Sequence, residues 1–179
     1  MQELRQYLLA KLMWDPDLDF DSLTTCFLNG YYGYAGPYIG QYLKTMEKEL
    51  KKSGEVLWIY SSPMQETNSF LIPEHIREYN RLFDLAENVA GNDSVLYHRV
   101  RKARLPLRYA MLEIARKNIT GPDGFLEQDG EQMTVRPSIL RDLDTFVDQA
   151  DTYGVTTVHE RKKSPEEYRQ TTLNFFNNA

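Results

Sequence analysis

The first predicted helix is marked by a stripe of leucines spaced four residues apart. Leu4, Leu8 and Leu12 recur at this interval, which places them on one side of an α-helix that ends near Trp14. The run Asp15-Pro16-Asp17 then predicts a turn, because the residue before a proline avoids helical geometry. Six further apolar stripes predict helices that begin near Asp19, Pro37, Pro73, Asp93, Pro137 and Ser164.

Glycine and proline interrupt this helical pattern at defined points. We expect Gly30 to end the second helix in a left-handed conformation, and a tight loop rich in glycine and tyrosine to run from there to Pro37. Gly54 is expected to close the third helix. Pro106 lies inside the fifth predicted helix, so a kink or a break is expected near Leu105.

Two short segments have the character of β-structure. Residues Val56–Tyr60 predict a short strand or a buried extended segment, and Asp129-Gly130 between short runs predicts a hairpin near residues 125–135. Strands do not alternate with helices, which argues against a parallel sheet. The sequence therefore predicts a mainly α, multi-helix fold of about seven helices with one short β-hairpin. We expect residues 1–179 to form a single helical domain.

The composition restricts the class of protein. Hydrophobic residues make up 41% of the chain and charged residues 26%, which suits a chain that buries a core. The net charge of −5 provides no basic footprint for nucleic acid. No apolar run approaches the roughly 20 residues needed to cross a bilayer. The first residues do not form a signal peptide and resemble the middle of a helix, so we expect the chain to begin within a larger architecture.

The single cysteine limits the redox and metal chemistry of the chain. Cys26 can form no internal disulfide and no zinc site with two thiolates. Its neighbours Leu23, Phe27 and Leu28 predict a buried, inert thiol.

Histidines and aspartates show no recognised catalytic spacing. His75, His98 and His159 each lack the i, i+4 partner of a helical metal pair. The four aspartates between Asp15 and Asp21 are interpreted as helix capping and solvated charge. A calcium loop is excluded because Phe20 stands where that loop requires glycine. The sequence therefore predicts no catalytic residue, no cofactor and no metal site in this chain.

A basic run in the fifth predicted helix is open to two interpretations. On a helix, Arg101, Arg104 and Arg108 share a side while Val100, Ala103 and Leu107 face elsewhere, which favours a solvated or interface face over an anion site. The run consists of Arg99, Arg101, Lys102, Arg104 and Arg108.

Tyrosines near the expected Gly30–Pro37 loop are the most suggestive side chains for ligand contact. Tyr31, Tyr32 and Tyr34 could stack on sugar rings or supply hydroxyls to a pocket, and they could equally pack against a neighbouring domain. With Trp14 they form our set of candidate substrate-binding residues.

Four stretches of the sequence together resemble a known bacterial family. They read YLLAKLMWDPD from Tyr7, FLNGYYG from Phe27, AGPYI from Ala35 and RVRKARLPLRYA from Arg99. These stretches resemble bacterial proteins with the domain of unknown function 4838, part of which is classed as glycoside hydrolase family 163. Similar segments follow the catalytic barrel in α-glucuronidase-like hydrolases. The resemblance covers about the first 115 residues.

The resemblance implies a secreted or periplasmic hydrolase of glycans that contain N-acetylglucosamine or related sugars. It implies a (β/α)₈ barrel followed by a helical C-terminal region, to which this chain would correspond. The barrel alone needs about 250 residues and cannot fit into this chain, so no catalytic residue is transferred. The partners implied are the barrel of the same polypeptide and a glycan.

Two other functions are compatible with the sequence. One is a stand-alone helical structural or protein-interaction domain, which could include a homodimer. The other, a complete small enzyme, requires converging titratable groups that the sequence does not offer. Exposure of the first helix and of Trp14 is expected for a module of a larger protein, whereas a self-contained core would bury them.

Overall fold

A computed structural model describes residues 1–58, 60–158 and 163–177. Over these residues seven α-helices and one two-stranded antiparallel hairpin form, which confirms the predicted mainly α fold. The elements in chain order are α1 (Gln2–Trp14), α2 (Phe20–Tyr32), a 3₁₀ turn (Gly33–Ala35), α3 (Gly36–Ser53), a second 3₁₀ turn (Pro63–Gln65), α4 (Pro73–Ala90), α5 (Ser94–Lys117), β1 (Leu126–Asp129), β2 (Gln132–Val135), α6 (Pro137–Thr152) and α7 (Pro165–Asn177).

Several helix starts form where the sequence predicts them. The Asp19 carboxylate accepts the Ser22 backbone N–H at 2.8 Å and caps α2. At α7 the Ser164 hydroxyl accepts the Glu167 N–H while the Glu167 carboxylate accepts the Ser164 N–H, which completes a capping box. Because these groups satisfy otherwise free backbone donors, local chemistry alone decides where these helices begin.

The hairpin also follows its sequence signal. β1 and β2 pair in antiparallel register, with Leu126 opposite Val135 and Asp129 opposite Gln132. Gly130, the first of the two loop residues, has a φ of +63°, a conformation that glycine adopts without strain.

The prediction of a loop after Gly30 is wrong. Helix α2 continues through Gly30 to Tyr32 and ends at Gly33, whose φ is +52°. A glycine inside a helix costs about 1 kcal/mol relative to alanine. Stacking of Tyr31 on Phe27 and burial of Tyr32 stabilise the last turn and offset this cost.

The expected strand at Val56–Tyr60 does not form. Residues 55–58 have no regular secondary structure, Val56, Leu57, Trp58 and Tyr60 are all exposed, and Ile59 lies outside the described residues. The sheet of the described residues contains only β1 and β2, so the segment has no strand to pair with. Its β-prone composition is therefore not enough to make it a strand.

Pro106 does not break α5, so that part of the prediction is wrong. The helix is continuous from Ser94 to Lys117 with Pro106 inside it. The neighbours Leu105 and Leu107 are both buried, and their packing holds the helix together on either side of the proline. The kink stays a prediction.

The contacts of the chain define two compact units. Unit 1 comprises Met1–Leu57 and Asn68–Arg104, and unit 2 comprises Trp58–Thr67 and the described part of Leu105–Ala179. The sequence contains no linker-like stretch at these boundaries. The single domain expected over residues 1–179 stays a prediction.

Unit 1 has a core built mainly from α2, α3 and α4. α3 packs against both α2 and α4. A Cβ at Gly36 would lie 2.6 Å from the Leu28 carbonyl oxygen, so only glycine permits this close approach of α3 to α2. The fully buried side chains of this core include Tyr32, Ile39, Tyr79, Leu82, Phe83 and Val100.

Unit 2 encloses a separate apolar cluster. The rings of Phe125 and Phe176 stack with centroids 4.1 Å apart. The Arg136 guanidinium donates to the carbonyls of Gly124 and Leu126, which ties the start of β1 to the residue before α6. The cluster also contains Leu105, Leu112, Leu143, Phe146, Val147 and Tyr168.

Candidate functional site

Helix α1 presents apolar side chains on more than one side. Leu4 and Leu8 face the core and are each 8% exposed. Leu9, Met13 and Trp14 lie away from it and are 55%, 85% and 91% exposed. Because Leu9 and Met13 are one turn apart, they lie next to each other on the outer side of the helix.

The exposed apolar set continues through the turn into α2. Leu18 and Phe20 are 37% and 54% exposed. We call Leu9, Met13, Trp14, Leu18 and Phe20 the α1–α2 surface. Five large apolar side chains exposed within twelve residues of chain make this segment a candidate interaction site.

Aspartates alternate with the apolar residues of this turn. The Asp15 carboxylate accepts the Asp17 N–H at 3.1 Å, and Asp19 caps α2. Hydrogen bonds from Ser22 hold the pKa of Asp19 below its ordinary value. The predicted capping role is confirmed for Asp19. No cluster of three metal-ligating side chains occurs in the described part of the chain.

Tyr31 is held between aromatic and cationic neighbours. Its ring stacks on Phe27 with centroids 5.0 Å apart. The Arg99 guanidinium carbon lies 4.2 Å from the ring centroid, and this guanidinium also donates to the Tyr31 carbonyl at 2.7 Å. Because these neighbours already cover the ring, its hydroxyl is better placed than its face to meet a ligand.

The other three candidate residues differ in exposure and position. Tyr32 is a core residue, 2% exposed, and its burial raises the pKa of its hydroxyl well above the usual range. Trp14 and Tyr34 are 91% and 82% exposed. Trp14 is the last residue of α1 and Tyr34 lies in the 3₁₀ turn after α2, so the 13 residues of α2, about 20 Å of helix, separate them. One sugar ring cannot touch both.

The basic run of α5 is only partly a solvated face. Arg104 is 8% exposed, which contradicts the expectation for this residue. Its guanidinium donates to Asp84, Glu87 and Asn80 of α4 at 2.8, 3.0 and 2.7 Å. A buried guanidinium requires such acceptors, and hydropathy patterns do not reveal them.

Lys102 in the same run has a long-range partner. Its ammonium contacts the Glu3 carboxylate of α1 at 2.8 Å. This hydrogen bond is the main cause of a lowered pKa for Glu3 and a raised pKa for Lys102. The pair therefore ties α1 to α5 within unit 1.

Cys26 is exposed, so the expectation of a buried thiol is wrong. Its sequence neighbours Phe27 and Leu28 turn inward, whereas position 26 lies on the outer side of α2. A hydrogen bond with Cys26 raises the pKa of the Tyr7 hydroxyl. An open groove of about 450 Å³ runs along this side of α2 and is lined by Asp21, Ser22, Thr25, Cys26 and Asn29. Besides the thiol, the lining of this groove contains one ionisable side chain, the Asp21 carboxylate.

The most buried titratable cluster lies in unit 2 and has no sequence signal. The Glu113 side chain is 8% exposed, accepts the Tyr168 hydroxyl at 2.8 Å and pairs with Arg116 at 2.7 Å. Burial is the largest cause of a pKa of Tyr168 far above the usual range. Since each group contacts the others, the cluster is a structural network joining α5 to α7.

The structure describes two of the three histidines. His75 Nε2 lies 3.6 Å from the Glu49 carboxylate, beyond hydrogen-bond length. His98 is exposed beside the Tyr97 ring. His159 lies outside the described residues.

Comparison with known families matches one part of the chain. The model of the domain of unknown function DUF4838 matches residues 1–44. The resemblance to this domain is therefore confirmed for α1, α2 and the first half of α3, a segment that includes the whole α1–α2 surface. No curated protein and no solved structure matches the chain. None of the helices in the described residues is both long and apolar enough to span a membrane.

Of the α1–α2 surface, the sequence analysis identified only Trp14 as a candidate site residue. A usable signal existed, since Met13 and Trp14 lie off the Leu4–Leu12 stripe. Leu9, which we expected to belong to that stripe, is exposed and also makes α1 apolar on a further side. A helix of that kind is normally covered on more than one side.

Proposed function

We propose that this chain is a helical module of a larger bacterial glycan hydrolase, acting in the periplasm or outside the cell. In this proposal the α1–α2 surface docks on a catalytic (β/α)₈ barrel of the same polypeptide and supports its substrate cleft. The observation that carries it is the exposure of Met13 and Trp14 within the segment that matches DUF4838.

The free energy of burial favours docking at this surface. Covering a large apolar side chain contributes about 1.5–3 kcal/mol, and the surface offers five such side chains. Tryptophan and methionine are enriched at protein interfaces, where a few central residues supply most of the binding energy. Met13 and Trp14 are therefore the expected anchors.

Catalysis is assigned to the barrel because of the chemistry of glycoside cleavage. That reaction uses two carboxyl groups on either side of a sugar in an open cleft. The most buried carboxylate of unit 2, Glu113, is instead engaged by Tyr168 and Arg116. Its contacts suit a structural role, which supports a module without a catalytic site of its own.

Two measurements test the proposal. The first is the sequence of the coding region around Met1, which is expected to encode a barrel in frame with this chain. The second is hydrolysis of an N-acetylglucosamine-containing glycan by the natural-length protein and by its Met13→Ser/Trp14→Ser variant. Loss of turnover, with Val95→Ser as a matched exposed control, supports docking. A coding region without a barrel, or unchanged turnover, contradicts it.

A stand-alone protein-interaction domain is the second candidate. The same exposed surface favours it, because a binding domain also keeps its contact residues in solvent. Sedimentation of the chain tests one form of this candidate, a domain that binds a second copy of itself. A dimer that Met13→Ser/Trp14→Ser dissociates into monomers would favour this candidate over the barrel.

A further inference from the structure

The α1–α2 surface is acidic as well as apolar. The turn reads Asp17-Leu18-Asp19-Phe20-Asp21, so each of its two exposed apolar side chains stands between two aspartates. Asp15 directly follows Trp14. Among the described residues none of these aspartates forms an ion pair. Their charges are therefore available to an approaching partner.

Helix α1 carries two cations, Arg5 and Lys11, and neither pairs with an aspartate of this turn within the described residues. Lys11 is exposed one helical turn before Asp15, and its ammonium lies 5.8 Å from the Tyr7 ring centroid. Arg5 is exposed on the side of Leu9, but it precedes Asp15 by ten residues, or about 15 Å of helix. The aspartates of the turn outnumber the one nearby cation of α1, so the end of the surface at Trp14 keeps a local negative charge.

We propose that the α1–α2 surface binds a protein face whose apolar centre is bordered by lysine or arginine side chains. This inference rests on the proposed docking function and adds the chemistry of the docked face. Apolar side chains of the partner would cover Met13, Trp14 and Phe20. Its cations would lie against Asp15, Asp17 and Asp21, whereas Asp19 remains engaged in capping α2.

The same charges disfavour the other occupants of an apolar surface. A two-fold dimer through this surface would bring two sets of aspartates together, and like charges across an interface destabilise it. Anionic lipid and nucleic acid would meet the same repulsion. A basic-rimmed protein face is the occupant that both the apolar and the acidic residues accommodate.

Synthetic peptides test this inference on the 179-residue chain itself. Two amphipathic helical peptides share one leucine face and carry either lysines or glutamates along its borders. The Trp58→Phe variant leaves Trp14 as the only tryptophan, so a blue shift of its emission reports burial at the surface. We expect the lysine-bordered peptide to shift the emission and the glutamate-bordered peptide to leave it unchanged.

Two sets of variants show which residues are responsible. Asp15→Asn/Asp17→Asn/Asp21→Asn is expected to weaken binding of the lysine peptide about tenfold and to reduce the dependence of its Kd on salt. Met13→Ser, measured against Val95→Ser, is expected to weaken it while the salt dependence remains.

The outcomes separate this inference from the proposed function. Equal binding of both peptides, no binding of the lysine peptide, or self-association that Met13→Ser abolishes overturns the basic-rimmed partner. A positive peptide result together with a coding region that lacks a barrel keeps the basic partner and rejects the hydrolase. Turnover that depends on Trp14, together with equal binding of the two peptides, keeps the hydrolase and rejects the basic partner.

Discussion

Arg104 of unit 1 and Arg116 of unit 2 both lie on α5 and both form ion pairs, but Arg104 is buried whereas the Arg116 side chain is 25% exposed. Arg104 of unit 1 reaches three acceptors on another helix, α4, and one of them, Asp84, is 66% exposed. Arg116 of unit 2 pairs with Glu113 on its own helix, and the Glu113 side chain is only 8% exposed. The contact of that pair with α7 is made by a neutral group, the Tyr168 hydroxyl.

From this comparison we expect the exposure of the carboxylate partner to matter more for stability than the number of hydrogen bonds. An exposed carboxylate that loses its arginine is solvated by water, whereas a buried one remains charged without compensation. Arg116 is therefore expected to contribute more to stability than Arg104, although Arg104 makes more hydrogen bonds between side chains.

Replacing Arg116 is expected to have the largest effect. Arg116→Met leaves the Glu113 charge buried with one hydroxyl as its donor, and breaking such a pair costs about 3–5 kcal/mol. Urea denaturation followed by circular dichroism measures the loss. Arg116→Lys, which keeps the charge, is the control and is expected to lose less. If Arg116→Met loses less free energy of unfolding than Arg104→Met, the expected ranking of the two arginines is wrong.

High pH is expected to destabilise both units. Burial raises the pKa of Tyr42 in unit 1 and of Tyr109 in unit 2 to about 12. The pKa of tyrosine in the unfolded chain is about 10. Below pH 10 both hydroxyls are protonated in the folded and unfolded chain, and the free energy of unfolding is not reduced. It falls as pH rises from 10 toward 12, because only the unfolded chain then loses these protons. For Tyr42 the loss is about 2–3 kcal/mol at pH 12.

Denaturation between pH 9 and 11.5 measures this effect, and Tyr42→Phe provides the control. A slope of stability against pH that Tyr42→Phe leaves unchanged would show that Tyr42 titrates normally in the folded chain.

Arg104→Met is expected to cost about 2 kcal/mol. It leaves Glu87, 19% exposed, and the Asn80 amide without their guanidinium donor, while Asp84 gains water. Hydrogen exchange resolved along the chain should show the loss in α4 and the first part of α5. Arg77→Met, at an exposed pair, is the control and is expected to change little.

Tyr168→Phe is expected to have the smallest effect, about 1.5 kcal/mol, because the hydroxyl donates to a charged carboxylate. It removes the hydrogen bond to Glu113 but leaves the Arg116 ion pair and the ring packing in place. The change is measured by denaturation against Tyr34→Phe, whose hydroxyl is on an exposed side chain. A cost as large as that of Arg116→Met would identify the hydroxyl as the main compensation of the charge.

Sequence reasoning succeeded where short-range chemistry decides the structure. The cap at Asp19, the capping box at Ser164 and the hairpin at Gly130 each depend on residues within four positions of one another. Such signals are complete within the local sequence, so no tertiary contact is needed to interpret them.

It failed where side-chain packing, or the lack of a strand to pair with, outweighed a local preference. Gly30 remains helical because neighbouring aromatic residues pack, Val56–Tyr60 has no strand to pair with, and α5 passes through Pro106. Of the candidate site residues, Trp14 and Tyr34 are exposed, Tyr31 is stacked and Tyr32 is in the core. Sequence spacing cannot assign these exposures, because they depend on which helix covers which face.

The sequence by itself determined the helical class, the ends of most helices, the hairpin, and the acidic and apolar composition of the turn between α1 and α2. These features arise from periodicity and from backbone donors and acceptors satisfied nearby. The tertiary structure decided that Arg104 and Glu113 are buried and that Met13 and Trp14 are exposed. Burial is a property of surfaces brought together by folding, and residues distant in sequence supply those surfaces.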